Sequence, residues 1–344
     1  MPKDRIGVLL VNTGSSAAPR TAETRVYLRQ FLSDPRIIDI AAWKRWIIVN
    51  CFILPFRPQR TAEAYQAIWT ERGSPLIALS EDFRNALRQE LPDAVIEIGM
   101  AYGTPSIAEG MDRLLALQLD RLIVVPMFPQ YASATSGSVS CGVFEHASKQ
   151  WNVPAITILP EFYDDPPFLD AWEHVAQEHL DTFKPDHVLL SYHGLPERHI
   201  YKGDPFGQHC LRKPDCCEVE TTANRHCYRR QCLATSRALV ERLGLQPGGY
   251  TVAFQSRLGR DPWLSPATDE TIAELARKGV KRLAVLSPAF VADCLETLEE
   301  IGMQGKETFH EHGGEDYLLV PSLNTHPTWV KAMAGLLQRV APNL

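Results

Sequence analysis

The chain has 344 residues, of which 45% are hydrophobic and 22% charged, and its formal net charge is −6 at pH 7. This length predicts two domains rather than one core, and mixed charge without a basic stripe argues against a nucleic-acid-binding surface. The longest apolar stretch, at 46–56, is too short to cross a bilayer. The N-terminus has no small-residue cleavage site typical of a secretion signal, so we expect a cytoplasmic protein.

Short apolar runs alternate along the chain with segments of helical spacing. Eight runs are predicted as strands, at 6–12, 95–100, 121–126, 155–159, 187–192, 250–254, 282–287 and 317–320. Helical spacing covers 78–91, 106–118, 168–182, 232–243 and 268–278, and a C-terminal helix is expected at 327–340. Near-continuous apolar strands alternating with helices predict parallel sheets covered on both faces.

The two halves of the sequence resemble each other. Segments 107–128 and 272–290 share the order helix, Arg-Leu, apolar strand, proline and phenylalanine, and "VLLVNTG" matches "VLLSYHG" in pattern. We therefore expect two similar α/β domains, at 1–170 and 171–326, with the helix of 327–344 packing back on the first domain. The chain has neither a G-x-G-x-x-G after a strand nor a Walker-type phosphate loop, which disfavours a nucleotide enzyme.

Polar side chains follow two of the predicted strands, where ligands bind in open parallel sheets. His193 ends the strand at 187–192, and Asp293, Glu296 and Glu300 follow the strand at 282–287 with the spacing i, i+3, i+7 of one helical face. One interpretation is that His193 has only a structural role and that the acidic residues form a solvent-exposed helix face. A histidine and carboxylates meeting in a cleft would instead suit a divalent cation or a proton relay.

A series of motifs spans nearly the whole chain: "LLVNTG", "YLRQFLSDPRIID", "RGSPL", "PMFPQYASATSGS", "SYHGLPERHI", "FQSRLGRDPWLSPATDETI", "SPAFVADCLETLEEI" and "GGEDYLLVPSLN". In this order and spacing the sequence resembles the ferrochelatase family. The resemblance implies two Rossmann-like, chelatase-type domains with an active-site cleft between them. It also implies insertion of Fe²⁺ into protoporphyrin IX to give protohaem with release of two protons, the terminal step of haem biosynthesis.

The resemblance also assigns roles to individual residues. His193 matches the catalytic histidine and Glu296 the catalytic glutamate, both near the substrate iron, while an acidic path is implied for Asp293, Glu299 and Glu300. We favour His193 as the proton acceptor. Porphyrin contacts are implied for Thr13, Arg57 (with Arg60 as its rival), Ser74, Tyr131 and Ser133. Thr13 replaces the tyrosine of the coproporphyrin-using branch, which favours protoporphyrin, and Cys294 replaces a histidine of some relatives.

Five cysteines lie close together in a segment that relatives without an insertion lack, at 207–232. In a reducing compartment such a cluster suggests metal rather than disulfides. Some bacterial ferrochelatases carry a 2Fe-2S cluster on such a segment, which implies four ligands among Cys210, Cys216, Cys217, Cys227 and Cys232. We prefer Cys217 over its neighbour Cys216. A structural zinc site is the rival, and an unligated reduced loop is the third reading.

Residues 41–60, before the "RGSPL" motif, combine large apolar side chains with Lys44, Arg45, Arg57 and Arg60. A core helix would account for part of this segment. The matching region of the family forms a lip at the cleft, and we expect peripheral contact with the inner face of a membrane. For the whole chain, two other functions stay open: a metallochelatase for cobalt, nickel or coproporphyrin, and a non-catalytic haem or Fe–S sensor. The sequence does not predict an oligomeric state.

Overall fold

The computed structural model describes residues 5–257, 259, 261–342 and 344, and these residues form two compact units. Residues 1–4 and Asn343 of the expected domains, and Leu258 and Arg260 of the "FQSRLGRDPW" motif, lie outside the described residues. Unit 1 comprises Met1–Phe128, Ser133–Pro160 and Val330–Leu344, and unit 2 comprises Pro129–Ala132 and Glu161–Trp329. Among the described residues, no helix is both long and apolar enough to cross a membrane.

Unit 1 is built on a parallel sheet of four described strands in the order β2-β1-β3-β4. The strands are β1 Ile6–Gly14, β2 Val95–Tyr102, β3 Arg121–Pro126 and β4 Ala155–Ile158. The helices before and between them are α1 Thr21–Ser33, α2 Ala42–Ile47, α3 Arg57–Ile68, α4 Pro75–Glu90, α5 Ile107–Leu115 and α6 Ser138–Ala147, with π-helical turns at Ile48–Ile53 and Ser133–Gly137.

Unit 2 repeats this sheet, since its four described strands are also parallel and take the order β6-β5-β7-β8. They are β5 His187–His193, β6 Tyr250–Gln255, β7 Arg282–Leu286 and β8 Asp316–Leu319. The helices are α7 Pro166–Phe183, α8 Glu197–Gly203, α9 Tyr228–Arg242, α10 Thr268–Arg277, a π-helix Glu296–Gln304 and α11 Gly305–Glu311, and the chain ends with α12 Pro327–Val340.

One inner strand of each sheet, β1 or β5, is largely buried. The last residue of β1 and the residue that follows β5 are glycines that a neighbouring backbone approaches closely. In unit 1 that glycine is Gly14, which has φ +105°, and a Cβ built there would lie 1.8 Å from the carbonyl oxygen of Tyr102. In unit 2 it is Gly194, where a Cβ would lie 2.6 Å from the carbonyl oxygen of Gln255. The matched "VLLVNTG" and "VLLSYHG" patterns therefore both end at a glycine that lies against a neighbouring backbone, although Gly14 has a positive φ and Gly194 does not.

The structure differs from the sequence prediction in two places near the candidate site. The segment after β7 is a π-helix that begins at Glu296, so Asp293 lies before it and the assumed α-helical spacing does not apply. Helix α9 begins at Tyr228 rather than near Cys232. Its first turn contains two arginines and a glutamine, so apolar periodicity does not mark where the helix starts.

Candidate active site

His193 is the last residue of β5 and is partly buried at the carboxyl edge of the unit 2 sheet. Its Nδ1 lies 2.7 Å from the carbonyl oxygen of Gly194. A carbonyl oxygen only accepts hydrogen bonds, so Nδ1 carries the proton, and Nε2 of the neutral ring has the free lone pair. The ring centroid of Phe290, which follows β7, lies 6.4 Å from that of His193.

Two residues at the end of β6 connect this histidine strand to the π-helix. Ser191 Oγ donates to Gln255 Oε1 at 2.9 Å, and Gln255 Nε2 donates to the carbonyl oxygen of Glu296 at 3.2 Å. The next residue, Ser256, has φ +67°, a left-handed conformation that costs about 1–3 kcal/mol in a non-glycine residue. Its hydroxyl donates to Glu300 Oε2 at 2.6 Å. Sequence patterns assign no role to Gln255 or Ser256, because their contacts depend on the fold; strain of this kind is common at functional sites.

The three glutamates of the π-helix are partly buried but have different surroundings. Burial raises the pKa of the Glu300 carboxyl above its usual range, the hydrogen bond from Ser256 and the charge of His193 lower it, and the charge of Glu296 raises it further. Glu299 accepts two hydrogen bonds from Gln304 Nε2, at 2.7 and 2.9 Å. Burial therefore opposes ionisation of Glu300, a carboxyl that also interacts electrostatically with His193.

Asp293 is buried, and its carboxylate is occupied by neighbouring groups of unit 2. It accepts from Asn324 Nδ2 at 2.7 Å, from Thr297 Oγ1 at 3.0 Å and from the Ser322 amide at 3.2 Å. These bonds fasten the start of the π-helix to the segment after β8. Its neighbour Cys294 is also buried, and burial followed by the charge of Glu296 raises the pKa of its thiol.

The residues proposed to contact porphyrin are distributed over both units. Thr13 lies near the end of β1 and is partly buried, Arg57 begins α3 at an exposed position, and Ser74 is buried immediately before α4. Exposed Ser133 accepts a hydrogen bond from Arg36 Nη1 at 3.1 Å. Arg36 also donates to Cys141 Sγ at 2.9 Å, a contact that its place in the "SDPRIID" motif did not reveal.

Tyr131 belongs to unit 2 and lies against the cysteine-rich segment. Its amide donates to Gln231 Oε1 at 2.6 Å, and its ring meets that of His226 edge to face, with centroids 5.6 Å apart. Gln231 is fully buried in α9. The position of Tyr131 therefore depends on α9, the helix that also carries Cys232.

Two polar side chains organise the cysteine-rich segment, and the sequence alone did not identify either. The Asp204 carboxylate accepts from the amides of Phe206, His209 and Cys210. Although burial opposes the shift, these backbone donors lower the pKa of Asp204 to about 2. Asn224 is fully buried, and its Nδ2 donates to the carbonyl oxygens of Cys216 and Val219 at 2.8 Å each.

All five thiols of the segment are buried. Cys216 Sγ lies 3.8 Å from Cys217 Sγ, Arg229 Nη1 donates to Cys217 Sγ at 3.1 Å, and the Leu211 amide donates to Cys216 Sγ at 3.4 Å. Burial raises the pKa of Cys210 to about 11, while its hydrogen bond with Cys227 opposes the shift. A second hydrogen bond with Cys227, together with burial, raises the pKa of Cys217.

In the described part of the chain, no three histidine, cysteine, aspartate or glutamate side chains are placed so that together they could hold one metal ion. Among the cysteines, Cys216 lies near Cys217, and Cys227 is hydrogen-bonded with both Cys210 and Cys217.

Comparison with known proteins gives a consistent family match. A family model described as Ferrochelatase matches residues 5–341. The ferrochelatase of Coxiella burnetii strain Dugway 5J108-111 is 44% identical over 337 residues, covering 98% of this chain and 94% of that protein. The ferrochelatase of Legionella pneumophila is 44% identical over 335 residues, covering 97% and 98%.

A solved structure resembles the fold. SirB from Bacillus subtilis with Fe³⁺ has a TM-score of 0.56 and 13% identity, and the match covers 98% of this chain and 96% of that chain. At this identity the likeness concerns the fold alone. Together with the two four-stranded parallel sheets of the described residues, it confirms the predicted α/β chelatase-type fold class.

Proposed function

The chain belongs to the ferrochelatase family, and we propose that it uses His193 and Glu296 to insert Fe²⁺ into protoporphyrin IX. It is an enzyme, a porphyrin metallochelatase that takes Fe²⁺ as a substrate in haem biosynthesis. The observation that carries the proposed mechanism is the hydrogen bond from His193 Nδ1 to its own Gly194 carbonyl. That bond leaves Nε2 as a proton acceptor on a partly buried side chain.

The reaction needs such a group because a free-base porphyrin holds two N–H protons where the metal must enter. A neutral imidazole titrates in the range suited to accepting them. Each proton passes from a pyrrole nitrogen to a base while the nitrogen lone pair turns to the iron, so charge is conserved. Binding that tilts the pyrrole nitrogens out of the ring plane would use binding energy to approach the transition state.

We assign the charge balance of this step to the glutamates of the π-helix. Insertion brings in two positive charges and releases two protons, and carboxylates near the imidazole stabilise both. The backbone carbonyl of Glu296 accepts a hydrogen bond from the Gln255 side-chain amide. The Glu300 carboxyl interacts electrostatically with both His193 and Glu296. Asp293 and Glu299 belong to the proposed acidic path, and their hydrogen bonds indicate that they also stabilise the π-helix.

The experiment is an anaerobic Fe²⁺-insertion assay with purified protein. We expect His193→Ala to lose at least about a hundredfold in turnover while porphyrin still binds, since the proton acceptor is removed. Glu296→Gln should also turn over far more slowly. His174→Ala and Glu178→Gln are the matched controls, because both residues are exposed on α7. A His193→Ala protein that keeps a tenth of wild-type turnover would overturn the assignment.

For the porphyrin, we propose protoporphyrin IX as the preferred substrate, contacted by Thr13, Arg57, Ser74, Tyr131 and Ser133. The support is the threonine at position 13, where the coproporphyrin-using branch has tyrosine. We expect a higher kcat/KM with protoporphyrin than with coproporphyrin, and Thr13→Tyr should reduce the difference. Equal kcat/KM values for the two substrates in the wild-type enzyme would contradict this proposal.

We propose that Cys210, Cys217, Cys227 and Cys232 hold a 2Fe-2S cluster. The donor set fits this group, since four thiolates ligate such a cluster and each iron takes two of them. Hydrogen bonds of Cys227 with Cys210 and with Cys217 link three of these four thiols. Burial disfavours free thiolates here, and a bound cation would stabilise them. The cluster would supply a redox-active iron centre, and no step of metal insertion above depends on it.

The test of the cluster is the absorption spectrum of protein purified without oxygen, with iron, sulfide and zinc analysis. We expect a red-brown protein that loses colour in Cys210→Ser, Cys217→Ser, Cys227→Ser and Cys232→Ser. Colour should persist in Cys216→Ser and in Cys141→Ser, an exposed cysteine of unit 1. Stoichiometric zinc in a colourless protein would show that the rival site is correct.

We also propose that residues 41–60 dock on an anionic membrane surface. Trp43, Trp46, Phe52 and Phe56 are 63–78% exposed, whereas Val49 and Leu54 of the same segment are buried and anchor it. Lys44 lies 5.4 Å from the Trp43 ring centroid. Aromatic side chains beside cations suit the interface between apolar lipid and anionic headgroups, and substrate and product are apolar macrocycles.

Vesicle sedimentation tests this docking surface. We expect the wild-type protein to pellet with vesicles containing anionic lipid at low salt, to pellet less at high salt, and to be released by Trp46→Ser with Phe52→Ser. The control pair is Phe144→Ser with Trp151→Ser, because both residues are also exposed in unit 1. Wild-type protein that stays wholly in the supernatant would refute the proposal.

A further inference from the structure

Tyr228 has no role in the mechanism above, yet its hydroxyl contacts the backbone of the proposed catalytic histidine. It is the first residue of α9, directly after Cys227, and its ring is buried. The hydroxyl donates to the carbonyl oxygen of His193 at 2.8 Å. A buried tyrosine hydroxyl needs a hydrogen-bond partner. Here the last carbonyl of β5 accepts from it, and the Cys232 thiol is a second neighbour.

This carbonyl belongs to the peptide that joins His193 to Gly194. The N–H of the same peptide, on Gly194, donates to the carbonyl oxygen of Gln255 at 2.8 Å. The Gly194 carbonyl in turn accepts the hydrogen bond from His193 Nδ1. Since glycine imposes few limits on its own dihedral angles, the hydrogen bonds of Tyr228 and Gln255 fix the orientation of this peptide.

The same helix makes a second, independent contact with β5. Tyr192 Oη lies 2.8 Å from Ser236 Oγ, in the middle of α9, and both groups are buried. The two tyrosine hydroxyls therefore fasten one helix to one strand. They differ in the group that they reach, because Tyr192 contacts a side chain of α9 and Tyr228 contacts the histidine backbone.

We infer that Tyr228 is a positioning residue, which holds the His193–Gly194 peptide so that the Gly194 carbonyl keeps the His193 proton on Nδ1 and presents Nε2 to the substrate. The inference rests on the proposed role of His193. It gives α9 a function in catalysis through its first residue, whose hydroxyl also interacts with the Cys232 thiol one turn later.

The experiment compares Tyr228→Phe with Tyr192→Phe, since each change removes one buried hydroxyl and keeps the ring. In Tyr228→Phe we expect kcat to fall by about tenfold to a hundredfold with KM for porphyrin unchanged, because a small misplacement of a catalytic group costs rate rather than binding. Tyr192→Phe should keep the wild-type kcat. Equal losses in both variants would indicate a merely structural contact and overturn the inference.

A spectroscopic readout accompanies the kinetics. In ¹⁵N-histidine-labelled protein, with the His193 signals assigned from their loss in His193→Ala, the wild type should show the Nδ1–H tautomer, and Tyr228→Phe a mixture of tautomers. Wild-type kcat and tautomer in Tyr228→Phe would contradict the positioning role. In the same assay an active His193→Ala would instead overturn the proposed function, so the two failures are distinguishable.

Discussion

At the scale of single residues, the site is controlled by which groups already have hydrogen-bond partners. The Nδ1 of His193 is hydrogen-bonded to a carbonyl oxygen, and the Asp293 carboxylate accepts from Asn324, Thr297 and Ser322. The Glu300 carboxyl instead accepts from Ser256. A carboxylate with three donors stabilises the local structure, while a buried carboxyl with a raised pKa can gain and lose a proton. The sequence placed Asp293 and Glu300 on one face, and only their partners distinguish them.

Glu300→Gln should raise stability and lower activity together. Burial raises the folded-state pKa of Glu300 above the unfolded value, so the folded protein loses stability as pH rises through that pKa and the carboxyl ionises. Glutamine keeps an acceptor for Ser256 but never ionises. We expect a higher urea midpoint than wild type at pH 8 and a turnover at least about tenfold lower.

The control for this prediction is Glu178→Gln on the exposed face of α7, which should change neither quantity. A Glu300→Gln protein with wild-type turnover would show that this carboxyl takes no part in the reaction. A lower urea midpoint at pH 8 would show that the ionised carboxylate stabilises the fold.

At the scale of secondary-structure elements, the strands and several helices, such as α10 and α12, were predictable, whereas the start of α9 and the π-helix were not. Every predicted strand boundary lies within two residues of the observed one, because the continuous apolar runs end where polar residues and glycines begin. The π-helix Glu296–Gln304 was predicted as an ordinary helix. Its i→i+5 hydrogen bonds leave no clear signal in apolar spacing over so short a segment, so the relative directions of Glu296 and Glu300 could not be derived.

His187, the first residue of β5, should make the free energy of unfolding depend on pH. His187 is buried, and its Nε2 lies 2.9 Å from Thr251 Oγ1. Burial lowers the pKa of His187 below its usual value, with a backbone hydrogen bond at Gly248 opposing the shift. The unfolded chain therefore binds a proton at this position more readily than the folded protein, and stability falls as pH decreases below about 6.5.

The measurement is the urea midpoint at pH 7.5 and at pH 5.5. We expect the wild-type midpoint to decrease more between these values than that of His187→Gln, which cannot take up the proton. His174→Gln, at an exposed position of α7, should keep the wild-type pH dependence. Identical pH dependence in His187→Gln and wild type would contradict the prediction.

At the scale of the whole molecule, the repeat was visible in the sequence because similar motifs occur in the same order in each half. The shared strand order of the two sheets follows the same pattern. The organisation of the cysteine-rich segment was not visible, because Asp204 and Asn224 act through backbone groups whose positions depend on the path of an irregular loop. Composition marked the five cysteines as a group but could not identify the residues that support them.

The equivalent glycines of the two units provide a test of that repeat. Gly14→Ala combines a positive φ with a severe clash against the Tyr102 carbonyl, and should destabilise unit 1 by about 3 kcal/mol. Gly194→Ala meets the Gln255 carbonyl at a longer distance. It should destabilise less but lower turnover more, since it displaces the peptide beside His193. Urea unfolding and the insertion assay measure the two effects, and the reverse order in either would contradict this account.

The division of the chain into units has a consequence for its biosynthesis. Unit 2 ends at Trp329, while unit 1 needs Val330–Leu344, which leave the ribosome after all the strands of both sheets. Buried Met333 and Leu337 of α12 belong to this last segment. During translation, unit 1 is therefore begun first and completed last. The surface that binds its C-terminal residues stays exposed to solvent while unit 2 is synthesised. We therefore expect the nascent chain to be prone to aggregation during this interval, and a chaperone that covers apolar surface to improve its folding.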